Sequence, residues 1–567
     1  MKVTDYIVEF LLSKEITDVF GYPGGVICHF IDSLSKFDGI EGHINYHEQA
    51  SSFAACGYAQ ESGRPGVAYA TSGPGATNLI TGIANAYYDS IPTIFFTGQV
   101  DTYGLKGDLR IRQRGFQETD TVGIVRPITK YAVRVDDPKK IRYELEKAYY
   151  YALEGNPGPV LLDLPADVQR ADIDIKDLEA YVPQQREYKI NDCVDSLINS
   201  LMSSKRPCLL LGNGIKQSGL TNRITEIIDL IDIPTVFSMP AIDILPSSHR
   251  DNYGFIGANG HRAANFVLGK CDLIISMGSR LDLKQVGNDR RQFAQQAHII
   301  RVDIDECNLE YKVHDDEIQY IVDLKLLLGS LRDKLINSEF DFSTWRATCD
   351  KVSSKVIGVD VQEYTDLIRQ FSDSLPGGIT ITADVGQSEV WVTQYYTFKF
   401  GDSLHISAGH GAMGYSLPAA IGAYYANKRP VICFNGDGGI QMNMQELQFI
   451  SREKIPVTVV VLNNHSLGMI RGFQEANFEK NYQQTTFESG YSCPDFEKIA
   501  YGYGLSYSKI LSVEELKTFK LNTFEPNIVE IVLPDTTELQ PNFGRNGYIQ
   551  DQRPYIDRNL YEEIMSL

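Results

Sequence analysis

An internal repeat is the feature that most constrains how this chain can fold. Residues 64–99 and 429–464 share one layout: an Arg-Pro pair, a short apolar run, a glycine-rich turn, a helical segment, an Ile-Pro break and a second apolar run. The two prolines are 27 residues apart in the first copy and 26 in the second. Each copy is typical of a strand–helix–strand unit whose turn lies at the carboxyl end of the first strand. The repeat therefore predicts two related α/β domains.

A third region of strands followed by small-residue loops lies between the two copies and begins at KRPCLLLGNG. The predicted fold class is α/β, with three doubly wound parallel-sheet domains over 1–180, 188–345 and 355–535. The segment YVPQQREYK and the charged stretch around 343–350 are interpreted as linkers. Residues 536–567 are a proline- and charge-rich tail that we expect to wrap a surface.

Composition and charge argue against several classes of protein. The formal net charge of -20 is unlike that of proteins that bind nucleic acid or anionic membranes. The nine cysteines include no CxxC pair, so neither an iron–sulfur cluster nor a zinc ribbon is indicated. The first residues are typical of a helix rather than a signal peptide, and the apolar runs have strand length, not the length of a membrane span. A cytoplasmic protein is expected.

The sharpest motif is Gly436-Asp437-Gly438, followed after 24 residues by Asn463-Asn464. Either piece alone is more often a turn or a strand end. Together they lie at the carboxyl ends of adjacent predicted parallel strands, where open α/β sheets bind ligands. Asp437, Asn464 and the carbonyl of Ser466 would then offer oxygen ligands to Mg²⁺, and diphosphate oxygens and water would complete the octahedron. The glycines admit backbone amides to the diphosphate, and the following helix is expected to add its N-terminal dipole.

This arrangement resembles the thiamine diphosphate-binding motif, and the resemblance, which covers nearly the whole chain, is to the acetolactate synthase group of thiamine enzymes. It implies an N-terminal pyrimidine-binding domain, a central FAD-type domain and a C-terminal diphosphate-binding domain. The implied cofactors are thiamine diphosphate, Mg²⁺ and a structural FAD. The resemblance also implies a homodimer or homotetramer, because the family's active site lies between the pyrimidine domain of one subunit and the diphosphate domain of another.

Glu48, in the string HEQ, matches the family glutamate that bonds N1′ of the aminopyrimidine and promotes its imino tautomer. Gly25 and Gln117 are implied to border the reacting centre. Met413 is implied to wedge beneath the thiazolium, although plain core packing is the alternative from sequence alone. The other residues that the resemblance assigns to thiamine diphosphate are Pro74, Asn78, Gly386, Gln387, Ser388, Gly411, Gly436, Asp437, Gly438, Gly439, Asn464, Ser466, Leu467, Gly468 and Met469.

Short turns in the central region match the family's flavin-binding segments in order. They are a GxG turn, a GxxG loop, a GxR segment and acidic strand ends, and each of them is weak evidence by itself. The residues assigned to FAD are Gly212, Asn213, Gly214, Gly257, Ala258, Asn259, Gly260, Gly278, Ser279, Arg280, Asp303, Ile304, Asp305 and Asp323.

The acceptor side departs from the biosynthetic acetolactate synthases. Ala258, Lys284 and Phe473 stand where those enzymes have methionine, arginine and tryptophan, and only Phe116 is retained. Three arginines precede Phe116: Arg110, Arg112 and Arg114. Smaller side chains would open room, and the arginines could bind phosphates. The alternative is neutral drift and a solvated run of charges.

This pattern, with the tail string GYIQDQRPYIDR, resembles the carboligases of branched-sugar pathways of the yersiniose and O-antigen type. The leading hypothesis is that the two-carbon unit of pyruvate is joined to a nucleotide-linked 4-keto-deoxysugar. The first alternative is an acetolactate synthase, with pyruvate as donor and acceptor. A pyruvate oxidase would need electron transfer from the flavin, a pyruvate decarboxylase would need an adjacent His-His pair that is absent, and a non-catalytic paralogue would not need Glu48.

Overall fold

The computed structural model of the chain describes residues 1–184, 186–542 and 548–567. It contains three six-stranded sheets in succession, and their strand pairings are parallel. Central strands are buried from end to end, as expected where helices cover a parallel sheet. The predicted α/β class with three parallel-sheet domains is confirmed.

The N-terminal sheet is built from the first copy of the repeat and its flanking strands. Its strands are β1 (Asp18–Gly21), β2 (Glu41–Ile44), β3 (Gly66–Ala70), β4 (Thr93–Gln99), β5 (Tyr131–Arg134) and β6 (Pro159–Pro165). Its helices are α1 (Val3–Ser13), α2 (Cys28–Leu34), α3 (Glu48–Ser62), α4 (Pro74–Asn78), α5 (Ile80–Tyr88), α6 (Thr121–Val125), α7 (Ile141–Leu153) and α8 (Ala166–Gln169). The strand order is β2-β1-β3-β4-β6-β5.

The central sheet has a different order from the N-terminal one. Its elements are α9 (Ile190–Ser203), β7 (Pro207–Leu211), α10 (Gly214–Gln217), α11 (Thr221–Ile231), β8 (Thr235–Phe237), β9 (Asn252–Phe255), α12 (Arg262–Lys270), β10 (Leu273–Met277), α13 (Leu283–Val286), β11 (His298–Asp303), α14 (Glu306–Glu310), β12 (Ile318–Ile321), α15 (Leu324–Leu335) and α16 (Ser343–Val356). The order β12-β11-β10-β7-β8-β9 is that of the doubly wound dinucleotide-binding fold, with its switch point between β7 and β10.

The C-terminal sheet repeats the N-terminal topology. Its elements are α17 (Glu363–Ser374), β13 (Thr380–Ala383), α18 (Gln387–Tyr395), β14 (Ser403–Ile406), α19 (Ser416–Asn427), β15 (Val431–Gly436), α20 (Leu447–Glu453), β16 (Val457–Asn463), α21 (Gly468–Asn477), α22 (Phe496–Tyr503), β17 (Ser506–Ile510), α23 (Val513–Thr518) and β18 (Asn527–Val532). The order β14-β13-β15-β16-β18-β17 matches the N-terminal sheet strand for strand, as the repeat predicts.

The N- and C-terminal domains pack against each other through α3 and α19. A Cβ at Gly57 would overlap the backbone of Ala419, and one at Gly422 would overlap the backbone of Ala54, so the two helices approach too closely for any larger residue. At the far end of α3, the buried carboxylate of Glu61 contacts His405 and Arg429 of the C-terminal domain, both at 2.6 Å.

The prediction that the residues around 343–350 form a linker is wrong, because these residues begin α16. Trp345, Cys349 and Val352 recur at helical spacing and are buried, and the Trp345 indole donates to the carbonyl of Pro207 at 2.9 Å. The charged residues occupy the other face of this amphipathic helix.

The tail packs on the central domain and contains a further helix, α24 (Arg558–Ser566). The buried Arg262 guanidinium donates to the carbonyls of Gln552 and Pro554, and the Lys270 ammonium donates to carbonyls in α24. Among the described residues, no helix is both long and apolar enough to cross a membrane.

Candidate active site

A cavity of about 580 Å³ opens at the carboxyl edge of the C-terminal sheet, where the central domain forms its second wall. We call it the first cavity. Its size suits a small-molecule ligand. It brings together the C-terminal residues that the sequence assigns to thiamine diphosphate: Gly386, Gln387, Ser388, Gly411, Met413, Gly436, Asp437, Gly438, Gly439, Asn464, Ser466, Leu467, Gly468 and Met469.

The two predicted metal ligands lie side by side because their strands pair. β15 and β16 are parallel neighbours, with Gly436 opposite Leu462. Asp437 directly follows β15, and Asn464 directly follows β16. Both side chains are almost fully buried, at 2% and 4% exposure. Carboxylate and amide oxygens in this setting are suited to Mg²⁺.

The Asn464 amide is oriented by its nitrogen. Nδ2 donates to Gln387 Oε1 at 2.9 Å and to Thr537 Oγ1 at 2.8 Å, so both amide protons are engaged and Oδ1 remains an acceptor. The Ser466 hydroxyl donates to the carbonyl of Thr485 at 2.9 Å. Ser466 therefore has its own carbonyl, rather than its hydroxyl, to offer to a cation. This donor set fits a hard divalent ion.

The Asp437 carboxyl is held from the opposite side. The Tyr491 hydroxyl donates to Asp437 Oδ2 at 3.0 Å. Burial raises the pKa of Asp437 to about 6, although this hydrogen bond and nearby backbone amides lower it. A buried carboxylate beside few compensating charges is suited to a bound cation.

Glycines keep the floor of the first cavity open. A Cβ at Gly439 would overlap the carboxylate of Asp384. Gly386 has φ of 125°, a conformation that favours glycine, and a Cβ there would meet nothing within 4 Å. Backbone amides at these turns can therefore approach a diphosphate closely. The residues of this domain that the sequence assigns to thiamine diphosphate are therefore suited to bind its diphosphate.

The helix predicted over residues 444–454 is present as a 3₁₀ turn and α20, but its N-terminus does not line the first cavity. The turn after Gly438 continues as two short 3₁₀ segments, and α20 begins only at Leu447. The reason is tertiary: Asn443 leaves the helical conformation, with φ of -134°, and its amide donates to the carbonyl of Gly414 at 2.8 Å. The helices that begin at the first cavity are α18 and α21.

The predicted pyrimidine-side residues form a separate cluster on the N-terminal domain. Glu48 begins α3, and its Oε2 accepts a hydrogen bond from Asn78 Nδ2 at 2.9 Å. Pro74 begins α4 in the same turn. Gln117, with φ of 64°, lies against Gly73 of that turn, since a Cβ at Gly73 would be 3.0 Å from the Gln117 Cβ. The sequence-predicted residues of this half-site are therefore brought together.

This N-terminal half-site does not reach the first cavity within the chain. Glu48, Pro74, Asn78, Gln117 and Gly25 line neither the first cavity nor a second one in the central domain. Gly25 and Pro74 are exposed. Phe116, which the sequence assigns to the acceptor, is 84% exposed. The half-site is an open surface rather than part of a closed pocket.

A second cavity, also of about 580 Å³, lies at the switch point of the central sheet and extends to the N-terminal domain. Two turns meet there so tightly that a Cβ at Gly212 would overlap the backbone of Gly278. The residues predicted for FAD that line this cavity are Asn213, Gly214, Gly278, Ser279, Arg280, Asp303, Ile304 and Asp323. A cavity at such a switch point is where doubly wound sheets bind dinucleotides.

Not every residue that the sequence assigns to FAD lines the second cavity. Gly212, Gly257, Gly260 and Asp305 line neither cavity, while Ala258 and Asn259 line the first cavity. The cause is the tight turn at Gly257, whose Cβ would overlap the carbonyl of Lys284. This turn directs the loop toward the C-terminal domain.

The residues predicted to bind the acceptor do not all lie at one cavity. Lys284 and Ala258 line the first cavity, and the Lys284 carbonyl accepts the Ala258 N–H at 2.8 Å. Phe473 lies on α21, 52% exposed, and lines neither cavity. Arg114 is exposed on the N-terminal domain, where its guanidinium donates to the carbonyl of Leu105.

Several residues at the site were not predicted. Thr537 reaches Asn464 from the segment after β18, and no local pattern marks it. Tyr491 likewise comes from a distant loop. Asp384 follows β13 at the same sheet edge, so its position after a strand could have identified it. Glu389, in the wall of the first cavity, lies in an apolar stretch of α18.

Comparison with known families agrees with this arrangement. The family described as thiamine pyrophosphate enzyme, N-terminal TPP binding domain, matches residues 1–124. The central domain of the same enzymes matches 194–331, and their C-terminal TPP binding domain matches 384–523.

Relatives match over nearly the full length. The acetolactate synthase large subunit of Lactococcus lactis is 37% identical over 549 residues, which cover 94% of this chain and 93% of that protein. The acetolactate synthase isozyme 2 large subunit of Escherichia coli is 32% identical, with 95% and 97% covered. The chloroplastic acetolactate synthase 1 of Oryza sativa is 33% identical, with 97% and 87% covered. The chain therefore belongs to the thiamine pyrophosphate-dependent enzyme family and is similar to its acetolactate synthases.

Proposed function

We propose that this chain decarboxylates pyruvate and joins the remaining two-carbon unit to the carbonyl of a second pyruvate, as an acetolactate synthase does. The observation that best supports it is the pairing of Asp437 and Asn464 in the first cavity, beside Lys284. The relatives carry the acetolactate synthase name. They favour this alternative over the nucleotide-linked sugar acceptor that the sequence alone suggested.

The C-terminal domain holds the diphosphate end of the cofactor. Asp437, Asn464 and the Ser466 carbonyl would bind Mg²⁺, and the amides that begin α18 and α21 would bind the diphosphate. When bound, thiamine diphosphate supplies the carbon nucleophile and the electron sink that decarboxylation needs. The protein's part there is to fix the group and keep water away from it.

Glu48 shares and exchanges a proton with the pyrimidine ring of the cofactor. Asn78 already donates to Oε2, so Oε1 remains to hold the proton that Glu48 shares with the pyrimidine ring. The side chain is only 8% exposed, which strengthens such a hydrogen bond. Gln117 and the backbone at Gly25 are the donors proposed for the alkoxide that develops on the acceptor.

A second subunit completes this active site in our proposal. The N-terminal half-site is exposed and faces neither cavity of its own chain, and a homodimer would close it against the diphosphate end of a partner. A structural FAD is proposed for the second cavity, supported by the strand order of the central sheet and by the turns at Gly212 and Gly278. The flavin takes no part in the chemistry.

One observation keeps a larger, phosphate-bearing acceptor as the second candidate. Residues 107–114 form an exposed loop whose base is closed by Glu118, which accepts hydrogen bonds from the Lys106, Arg114 and Gly115 amides. Within the described chain, the arginines at 110 and 112 have no hydrogen bond or ion pair. Free guanidinium groups beside the half-site suit a nucleotide diphosphate.

A single assay separates the two candidates. The purified protein is supplied with pyruvate, thiamine diphosphate, Mg²⁺ and FAD, with or without a nucleotide-linked 4-keto-deoxysugar, and the products are identified by mass. We expect acetolactate in both cases, and Glu48→Gln serves as the blank. A sugar nucleotide heavier by one acetaldehyde unit would instead establish the second candidate. Loss of flavin colour on pyruvate addition would indicate an oxidase and contradict both.

A further inference from the structure

Helix α18 places an acidic side chain, Glu389, in the wall of the first cavity without giving it a partner. Glu389 is only 3% exposed, yet it lines the cavity. Its Oε2 accepts no hydrogen bond from any residue that the structure describes. A buried carboxyl that lacks a partner is unfavourable in either protonation state, because it has lost the hydrogen bonds that water provided. The wall of the first cavity therefore contains a buried carboxyl group whose hydrogen-bonding capacity is not used by the described protein residues.

The charged groups around Glu389 come from three other elements. Lys284, on α13, lines the same cavity, Asp384 follows β13, and Asp89 follows α5. The two aspartates already accept backbone hydrogen bonds, at 3.0 and 2.6 Å. Burial raises the pKa of Glu389 to about 8, Lys284 lowers it, and the aspartates raise it further. At neutral pH Glu389 is thus mostly protonated and can donate a hydrogen bond.

The neighbouring wall belongs to the acceptor side. The Lys284 carbonyl accepts a hydrogen bond from the Ala258 amide, so two of the three positions at which this chain departs from the biosynthetic enzymes are in direct contact. Glu389 lines the same cavity from the C-terminal domain. Glu389 and Lys284 therefore line one cavity from two different domains.

We propose that Glu389 is the neutral hydrogen-bond donor that holds the keto oxygen of the acceptor 2-keto acid, while Lys284 pairs with its carboxylate. This inference rests on the proposed carboligase function and adds a residue to its acceptor side. When the new carbon–carbon bond forms, the electron pair of the acceptor C=O moves onto oxygen, and a hydrogen bond from Glu389 strengthens as that charge grows. An ionised Glu389 would repel both the carboxylate and the alkoxide.

Two variants of Glu389 and one control test the proposal. Glu389→Gln keeps a neutral donor of nearly the same shape, and Glu389→Leu removes the donor. Asp163→Asn is the control, because Asp163 is equally buried but is bonded to Thr97 and Gln99 and lines neither cavity. We would measure acetolactate formation between pH 6 and 9, together with thermal unfolding of the cofactor-free protein.

We expect Glu389→Leu to lower kcat/KM for the acceptor by about 100-fold, as for loss of one alkoxide donor, while its unfolding temperature is unchanged or higher. Glu389→Gln should stay within about threefold of the wild type at pH 7 and lose the fall in rate above pH 8. The control should keep the wild-type pH profile. A wild-type kcat/KM in Glu389→Leu, or an unchanged alkaline fall in Glu389→Gln, would overturn the proposal.

A binding experiment separates this proposal from the proposed function. Calorimetric titration of pyruvate into the cofactor-free full-length protein needs no turnover. Weaker binding by Glu389→Leu than by Asp163→Asn would support the pairing even if the wild type made no acetolactate. Equal binding by the wild type and both variants would contradict it even if the wild type were an active synthase.

Discussion

The two ends of the proposed thiamine diphosphate site differ in how far one chain completes them. At the diphosphate end, Asp437 and Asn464 are buried and are held by Tyr491, Gln387 and Thr537. At the pyrimidine end, Glu48 is bonded to Asn78, but the surface around it is open and borders neither cavity. One end is preorganised by its own chain, and the other is open within the chain and is the end that we propose a second subunit completes. Binding and catalysis should therefore respond differently to change at the two ends.

The largest effect is expected from Glu48→Gln. The substitution keeps the shape but removes the proton that Glu48 exchanges, so turnover should fall by about 10³-fold. Thiamine diphosphate and Mg²⁺ should bind almost as before, because Asp437 is untouched. Calorimetric binding and pyruvate consumption measure the two quantities. The control is Glu41→Gln, exposed on β2, and equal loss of binding and turnover would contradict the division of roles.

Mixing two inactive variants tests whether the open end is completed by a partner. Asp437→Ala should abolish activity by removing the metal ligand. If Glu48 of one subunit serves Asp437 of the other, a remixed pair of Glu48→Gln and Asp437→Ala chains contains one intact site in each heterodimer. About a quarter of the wild-type activity should return after equal mixing. No recovery, with heterodimers shown by native mass spectrometry, would mean that each chain uses both of its own ends.

A smaller effect is expected from Thr537→Val, which is nearly isosteric. It removes the hydroxyl oxygen that accepts from Asn464, so the amide ligand is less firmly oriented, and Mg²⁺ should bind about tenfold more weakly. Excess Mg²⁺ should restore activity. The control is Thr393→Val, a buried threonine whose hydroxyl bonds only to carbonyls of its own helix. If both variants showed the same dependence of activity on Mg²⁺ concentration, Thr537 would have no special role in orienting the metal ligand.

The last prediction concerns the contact between the N- and C-terminal domains at Glu61, which affects stability and leaves both ends of the cofactor site untouched. Burial opposes ionisation of Glu61, but His405, Ser403 and Arg429 outweigh it and hold its pKa well below the usual range. Its stabilisation is therefore present above pH 4.5 and is lost as the pH falls through the lowered pKa. Glu61→Gln should reduce the free energy of unfolding by about 3 kcal/mol at pH 7, and the difference from the wild type should narrow in acid. An unchanged melting temperature at pH 7 would contradict this.

The sequence predicted those parts of the molecule that depend on local pattern. The repeat predicted the shared topology of two sheets, and the positions of Asp437 and Asn464 directly after strands placed them at one sheet edge. It misjudged α16, because charged residues on one face concealed the helical spacing of Trp345 and Cys349. It also placed the helix at residues 444–454, where the structure has a 3₁₀ turn and α20, but the start of that helix does not line the first cavity.

Other residues were beyond sequence reasoning because only long-range folding brings them to the site. Thr537 meets Asn464 across 73 residues. In the sequence, Glu389 looks like an ordinary acidic residue of a helix. Its proposed role can be inferred only from its burial and from the lack of a hydrogen-bond partner for Oε2 among the described residues. The positions of Ala258 and Lys284 at the first cavity likewise depend on the tight turn at Gly257, which a motif alone does not reveal.

The contact between Thr537 and Asn464 has a consequence for how the enzyme is made. During synthesis the N-terminal domain folds first, so its half-site is ready long before the segment that orients the metal ligand leaves the ribosome. Until the segment after β18 packs against β16, one of the two acceptors that orient the Asn464 amide is missing. Capture of Mg²⁺ therefore depends on the docking of that segment.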